Sequence, residues 1–172
     1  MTDPAARRPA WSEPFTGSAL ASLARASRLD RIDREWAFDG ATGSGVTVAI
    51  IDSGIEAAHP AVGGRLRRAV SVELDHGDPV VVEDEDGDLF GHGTACGGLV
   101  ADLAPEVELV SVRVLGPDLK GRGAAFLGGL EWAVAPGVDV VNHSLSSRSA
   151  VRFAVCHAGG ARASFAGVRL VS

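Results

Sequence analysis

The run Val46-Thr47-Val48-Ala49-Ile50-Ile51, closed by Asp52-Ser53-Gly54, constrains the fold of this chain more than any other segment. Six residues dominated by β-branched side chains and lacking polar alternation describe a strand buried on both faces, and such strands belong to parallel sheets covered by helices on each side. The segments that follow repeat the theme. A second strand is predicted over Ala69–Leu74, a helix from near His92 to about Leu103 where Pro105 stops it, and a strand over Glu108–Leu115. A helix over about Gly123–Ala135, a strand over Val138–Ser144 and an apolar run at Val168–Val171 complete the pattern. The order strand, strand, helix, strand, helix, strand predicts an α/β three-layer sandwich with a mostly parallel central sheet.

The flanks read differently. Residues 1–17 hold Pro4, Pro9 and Pro14 among small and polar residues, a composition that favours an unstructured lead-in, and the apolar spacing over Ser18–Trp36 suits one or two short amphipathic helices. Residues 1–36 are therefore set apart from a main domain at 37–172. Between Ser149 and Ala166 the chain is rich in Arg, Ala and Gly, with Gly159-Gly160 where a helix would suffer most.

Composition excludes several function classes. With 46% hydrophobic residues the chain can build a core, and 22 acidic against 16 basic residues make it a poor polyanion binder, so no nucleic-acid partner is expected. No apolar run is long enough to cross a bilayer, so no membrane partner is expected. No apolar signal segment follows Arg7-Arg8, which reads as a cytoplasmic location. Cys96 and Cys156 show neither zinc-ligand nor redox-pair spacing.

Two polar residues stand where chemistry could occur. Asp52 ends a buried strand, so its carboxylate should project at the carboxyl rim of the sheet, where α/β folds place ligands. Taken alone, it is equally the Asp that caps a turn. His92 lies in Gly91-His92-Gly93-Thr94 at the start of a long helix, with Thr94 placed to satisfy free amides of the first turn. A histidine held there can act as a general base if a carboxylate fixes its tautomer, and alone it is a loop histidine. The acidic run Glu83-Asp84-Glu85-Asp86-Gly87-Asp88 invites calcium, but Leu89 stands where an EF-hand loop needs Gly, and the run reads as a solvated loop. No metal site and no cofactor are expected.

Three blocks then carry a family resemblance. Residues 46–55 with His59-Pro60, residues 91–101, and Gly137-Val138-Asp139-Val140-Val141-Asn142-His143-Ser144-Leu145-Ser146 resemble, in order, the Asp block, the His block and the substrate-pairing strand of the subtilisin-like serine peptidases. The resemblance implies a subtilisin-like fold and a serine endopeptidase, with Asp52 orienting His92 and His92 taking the proton of a serine hydroxyl. It further implies that Ser144, Leu145 and Ser146 form the edge to which an extended polypeptide substrate adds, and it makes His59 structural. It places Cys96 at the position of the family's thiol-containing subgroup, where the residue reads as a small buried hydrophobe.

The family's Gly-Thr-Ser block and its oxyanion Asn are not found. Ser144, Ser146, Ser147, Ser149, Ser164 and Ser172 all lack the small-residue, helix-opening context of an activated nucleophile. The expectation is a subtilisin-like domain incomplete at its C-terminus and inactive alone, with a non-catalytic peptide-binding or regulatory relative as the alternative. A nucleotide-binding or phosphotransfer α/β domain fits poorly, because Gly43-Ser44-Gly45 precedes the first strand instead of following it.

Overall fold

The computed structural model describes residues 33–134, 137–144 and 167–171. Two compact units divide at Gly40 and Ala41. In the first, helix α1 (Arg34–Phe38) starts at Asp33, whose Oδ1 accepts the Trp36 N–H at 3.0 Å, and it ends at Asp39 in the left-handed region. The remainder of the helical stretch predicted over Ser18–Trp36 lies outside the described residues, as does the segment 149–166.

The second unit is built on a six-stranded sheet: β1 (Thr47–Asp52), β2 (Leu66–Asp75), β3 (Asp78–Glu83), β4 (Glu108–Arg113), β5 (Val140–His143) and β6 (Arg169–Val171). Their order across the sheet is β3-β2-β4-β1-β5-β6, and every pairing is parallel except β2 with β3. After β1 the chain lays β2 and the edge strand β3 on one side, returns with β4 between β2 and β1, and then crosses to β5 on the other side, so the carboxyl end of β1 sits where α/β sheets open a crevice. Asp52 is the last residue of β1.

Strand parity decides which face each residue serves. Ala49 and Ile51 join Val70, Val110, Val112, Val141 and Leu130 in one core, beneath helix α3 (Gly123–Ala133). Val48 and Ile50 join Ile55, Val62, Ala101 and Leu109 in the other, beneath helix α2 (His92–Leu103). Ile50, Ile51 and Leu109 are at most 1% exposed, and burying each contributes about 1.5–3 kcal/mol. Asp52 continues the 48, 50 series and so faces α2, whose first residue is His92.

Helix α2 is a weak helix by composition. Gly93, Gly97 and Gly98 together cost about 3 kcal/mol relative to alanines. They are kept by close packing: a Cβ at Gly98 would stand 2.9 Å from the Ala61 Cβ, and one at Gly97 would stand 3.2 Å from the Ile55 Cδ1. The helix thus trades intrinsic propensity for proximity to the sheet.

Sequence patterning located five of the six strands and missed β3. The His76-Gly77 turn, with both φ angles positive (50° and 102°), is the two-residue connection that closes a β2–β3 hairpin. Pro79 is tolerated because β3 is at the sheet edge. Among the described residues, no helix is long and apolar enough to cross a membrane.

Candidate active site

The site forms where the end of β1 meets the start of α2. Asp52 is 1% exposed, and its two carboxylate oxygens lie 2.9 and 2.8 Å from His92 Nδ1. Its Oδ1 also accepts the Ser53 N–H at 2.7 Å. A buried carboxylate needs such partners, since an unpaired one costs several kcal/mol. The acceptor-only carboxylate draws the proton to Nδ1, so the neutral ring leaves its Nε2 lone pair free. The His92 side chain is 40% exposed, and among the described residues nothing is hydrogen-bonded to Nε2.

Backbone contact makes this approach possible. A Cβ on Gly93 would lie 2.1 Å from the Gly54 carbonyl oxygen and 3.2 Å from the Asp52 Cβ. Gly54, at φ 107°, in turn sits where a Cβ would lie 2.1 Å from the Gly87 carbonyl oxygen. Only glycine lets these strands of backbone pass so closely.

Asp88 was not among the residues predicted for the site. Its Oδ1 accepts the Ser53 hydroxyl (2.7 Å) and the N–H groups of Phe90 (3.0 Å) and Gly91 (2.7 Å). Its Oδ2 accepts the Thr94 N–H (2.7 Å) and the Thr94 hydroxyl. Burial pulls the Asp88 pKa upward, but the hydrogen bonds from Thr94, Gly91, Phe90 and Ser53 prevail and hold it down to about 2. Thr94 therefore does not cap its own helix, as predicted; its hydroxyl donates to Asp88 and accepts the Glu56 N–H at 2.9 Å. A signal for Asp88 was present, because an Asp three to four residues ahead of a helix start is a natural acceptor for first-turn amides.

The acidic run is solvated at Glu83, Glu85 and Asp86, as expected, but not at Asp84. The Asp84 side chain is fully buried and takes the Arg113 guanidinium through Nε (3.1 Å to each oxygen) and Nη2 (2.8 Å), while Asp86 takes Nη2 at 2.9 Å. The hydrogen bond to Asp84 is the main influence raising the Arg113 pKa. The reason for the difference is register: Arg113 pairs with Asp52 across the β1–β4 ladder, which brings a guanidinium to the rim beneath the run.

Cys96 is one turn beyond His92, its Sγ 3.8 Å from Nδ1, and it is half-buried against the α2-side core. Burial, then the charge of Asp52, pushes its thiol pKa up, and a hydrogen bond with the Ser144 side chain works against them. Ser144 is thus brought beside the His block, whereas Leu145, Ser146 and Cys156 lie outside the described residues. His143 faces away from the site, edge-on to Phe126 at 5.4 Å, and burial holds its pKa below the ordinary value. His59 holds the loop after β1 through its Nδ1, which accepts the Ala61 N–H at 3.2 Å. Asp52, His92 and Cys96 carry potential metal-ligand atoms within 4.8 Å of one another, with Asp52 and His92 already bonded to each other.

Residues 43–166 match the sequence model of the subtilase family. The chain belongs to the subtilases. Subtilisin BL from Lederbergia lenta is 40% identical over 119 residues, a match covering 64% of this chain and 40% of that protein. The minor extracellular protease Vpr from Bacillus subtilis (strain 168) is 37% identical over 119 residues, covering 63% of this chain and 15% of Vpr. Among solved structures, a cold adapted subtilisin-like serine proteinase superposes with a TM-score of 0.58 at 29% identity, covering 76% of this chain and 46% of that one. A lanthipeptide protease gives 0.61 at 26% identity, covering 77% and 40%. This subtilase chain spans less than half the length of these relatives.

Proposed function

We propose that this chain supplies the general base and its orienting carboxylate to a serine endopeptidase. One observation carries the reading: a buried carboxylate in contact with Nδ1 of an imidazole whose Nε2 makes no hydrogen bond among the described residues. In that arrangement Nε2 removes the proton from a serine hydroxyl as its oxygen attacks the peptide carbonyl. Asp52 stabilises the imidazolium, and the same proton then passes to the leaving amine. These steps draw on no metal or cofactor. The serine itself comes from polypeptide other than the described residues.

The substrate is an extended polypeptide that adds alongside Ser144, with Leu145 and Ser146 as the next residues to contact it. The proximity of Ser144 to Cys96, one helical turn from His92, supports this reading by bringing that edge toward the base.

The test is a chimera in which residues 43–144 replace the matching segment of Subtilisin BL. It is expected to hydrolyse a casein-derived peptide and to label with a fluorophosphonate at the serine of the Subtilisin BL portion. A folded chimera that does neither would contradict the reading, and one that binds the peptide without cleaving it would support the non-catalytic alternative.

A further inference from the structure

Between the end of β1 and the start of α2 the direct side-chain ties, among the hydrogen bonds described, are the Asp52–His92 contact, the Ser53 hydroxyl with the Gly93 N–H and the Thr94 hydroxyl with the Glu56 N–H. The two segments are 40 residues apart in sequence, and α2 has no side-chain cap at Gly91. Some group must orient the two hydroxyls if they are to hold that separation, because a contact of 2.8 Å depends on shifts of a few tenths of an ångström.

Asp88 has the connections to do so. An ionised carboxylate only accepts, so both hydroxyls that reach it must donate. The Ser53 hydroxyl, having donated to Asp88, accepts the Gly93 N–H at 3.1 Å; the Thr94 hydroxyl, having donated to Asp88, accepts the Glu56 N–H at 2.9 Å. Each hydroxyl therefore ties one segment to the other: Ser53 follows Asp52 and grips the residue after His92, while Thr94 lies two past His92 and grips the loop after β1. The two hydroxyl protons in the network thus have a fixed direction, and Asp88 sets both. The N–H groups of Phe90, Gly91 and Thr94 converge on the same carboxylate and hold the residues on either side of His92.

We infer that Asp88 is a positioning residue for the Asp52–His92 pair, fixing the imidazole against the carboxylate through the Ser53 and Thr94 hydroxyls. The inference rests on the proposed role of that pair, yet it concerns the geometry of the pair and can be read without turnover. An amide at position 88 would set its NH₂ against backbone N–H donors that cannot turn, that of Thr94 at Oδ2 or those of Phe90 and Gly91 at Oδ1, and so would break the carboxylate's hold on the residues beside His92.

The experiment is nitrogen-15 and proton NMR of the imidazole of His92 in the full chain, assigned with His92→Gln. The unsubstituted chain is expected to show one low-field, slowly exchanging Nδ1 proton and ring-nitrogen shifts of a single tautomer; Asp52→Asn should remove both, and a chain without them would overturn the reading of the pair itself. Asp88→Asn and Thr94→Val should lose the Nδ1 proton and show mixed tautomers, while Thr94→Ser, which keeps the hydroxyl, should retain the signal. Val62→Ala is the control for general loosening. Val62 is fully buried in the α2-side core, and its truncation lowers the melting temperature without touching the network. Retention of the Nδ1 proton in Asp88→Asn and Thr94→Val would overturn the inference, as would its equal loss in Val62→Ala. Should Asp88→Asn fail to fold, Thr94→Val against Thr94→Ser decides alone.

Discussion

Two buried carboxylates sit at the same rim of this molecule with the same separation from a basic partner. Asp52 reaches the His92 imidazole at 2.8 Å, and Asp84 reaches the Arg113 guanidinium at 2.8 Å. Their partners differ in two ways. The guanidinium is charged at every accessible pH and is only 14% exposed, so the Asp84 pair is locked and serves to anchor the acidic run on β4. The imidazole is 40% exposed and its Nε2 makes no hydrogen bond among the described residues, so the Asp52 pair retains a free nitrogen for exchange. The carboxylate–partner distance alone does not distinguish the two pairs; the exposure of the partner and its unbonded nitrogen do.

That contrast can be broken in four ways. The largest effect belongs to the proposed base. In the Subtilisin BL chimera, His92→Ala is expected to reduce kcat by about 10⁶, the size this loss has in a subtilisin, while the melting temperature stays within a few degrees. Activity retained within tenfold would remove His92 from its role. Next, Asp84→Ala strips the guanidinium of its main partner and is expected to destabilise the chain by about 3 kcal/mol in urea unfolding. A change below about 0.5 kcal/mol would show the pair to be ornamental.

Acid sharpens the picture with a third carboxylate. The folded-state pKa of Asp88 is about 2 against an ordinary 3.8, so its ionisation contributes stability above 3.8 that is lost as pH falls through about 2. Stability of the unsubstituted chain minus that of Asp88→Asn should therefore shrink across this window and be flat above it. A difference that keeps changing between pH 5 and 7 would contradict the assignment. The smallest effect is expected at Asp118 and Lys120, an ion pair at 2.8 Å that is open to solvent. Lys120→Ala should leave the unfolding midpoint unchanged, because solvent screens such pairs.

The sequence was most legible where the determinants are local. A β-branched run ending in Asp announces a buried strand with a carboxylate at its tip, and a Gly-flanked His ahead of an apolar stretch announces a helix start. Parity along 48, 50 and 52 then places Asp52 on the α2 face, a consequence that needs the sheet as well as the sequence. Less was legible where partners converge from separate segments. Asp88 draws on Ser53, Thr94 and three backbone amides, and nothing in its own neighbourhood names Ser53. Asp84 meets Arg113 only because β2 and β4 are paired in a register that the sequence does not display. Strand β3 was hidden because Asp-Pro at its start and Glu at its end resemble loop, although a two-residue turn at His76-Gly77 already implied a hairpin.

The most direct test of the contrast is kcat/KM for Asp52→Asn in the chimera, expressed per mole of folded protein and set against Asp84→Asn measured the same way. A loss of about 10⁴ is expected for Asp52→Asn with folding intact, and no loss for Asp84→Asn once the unfolded fraction is removed. Equal losses in the two variants, or activity at Asp52→Asn that follows only the folded fraction, would contradict that expectation.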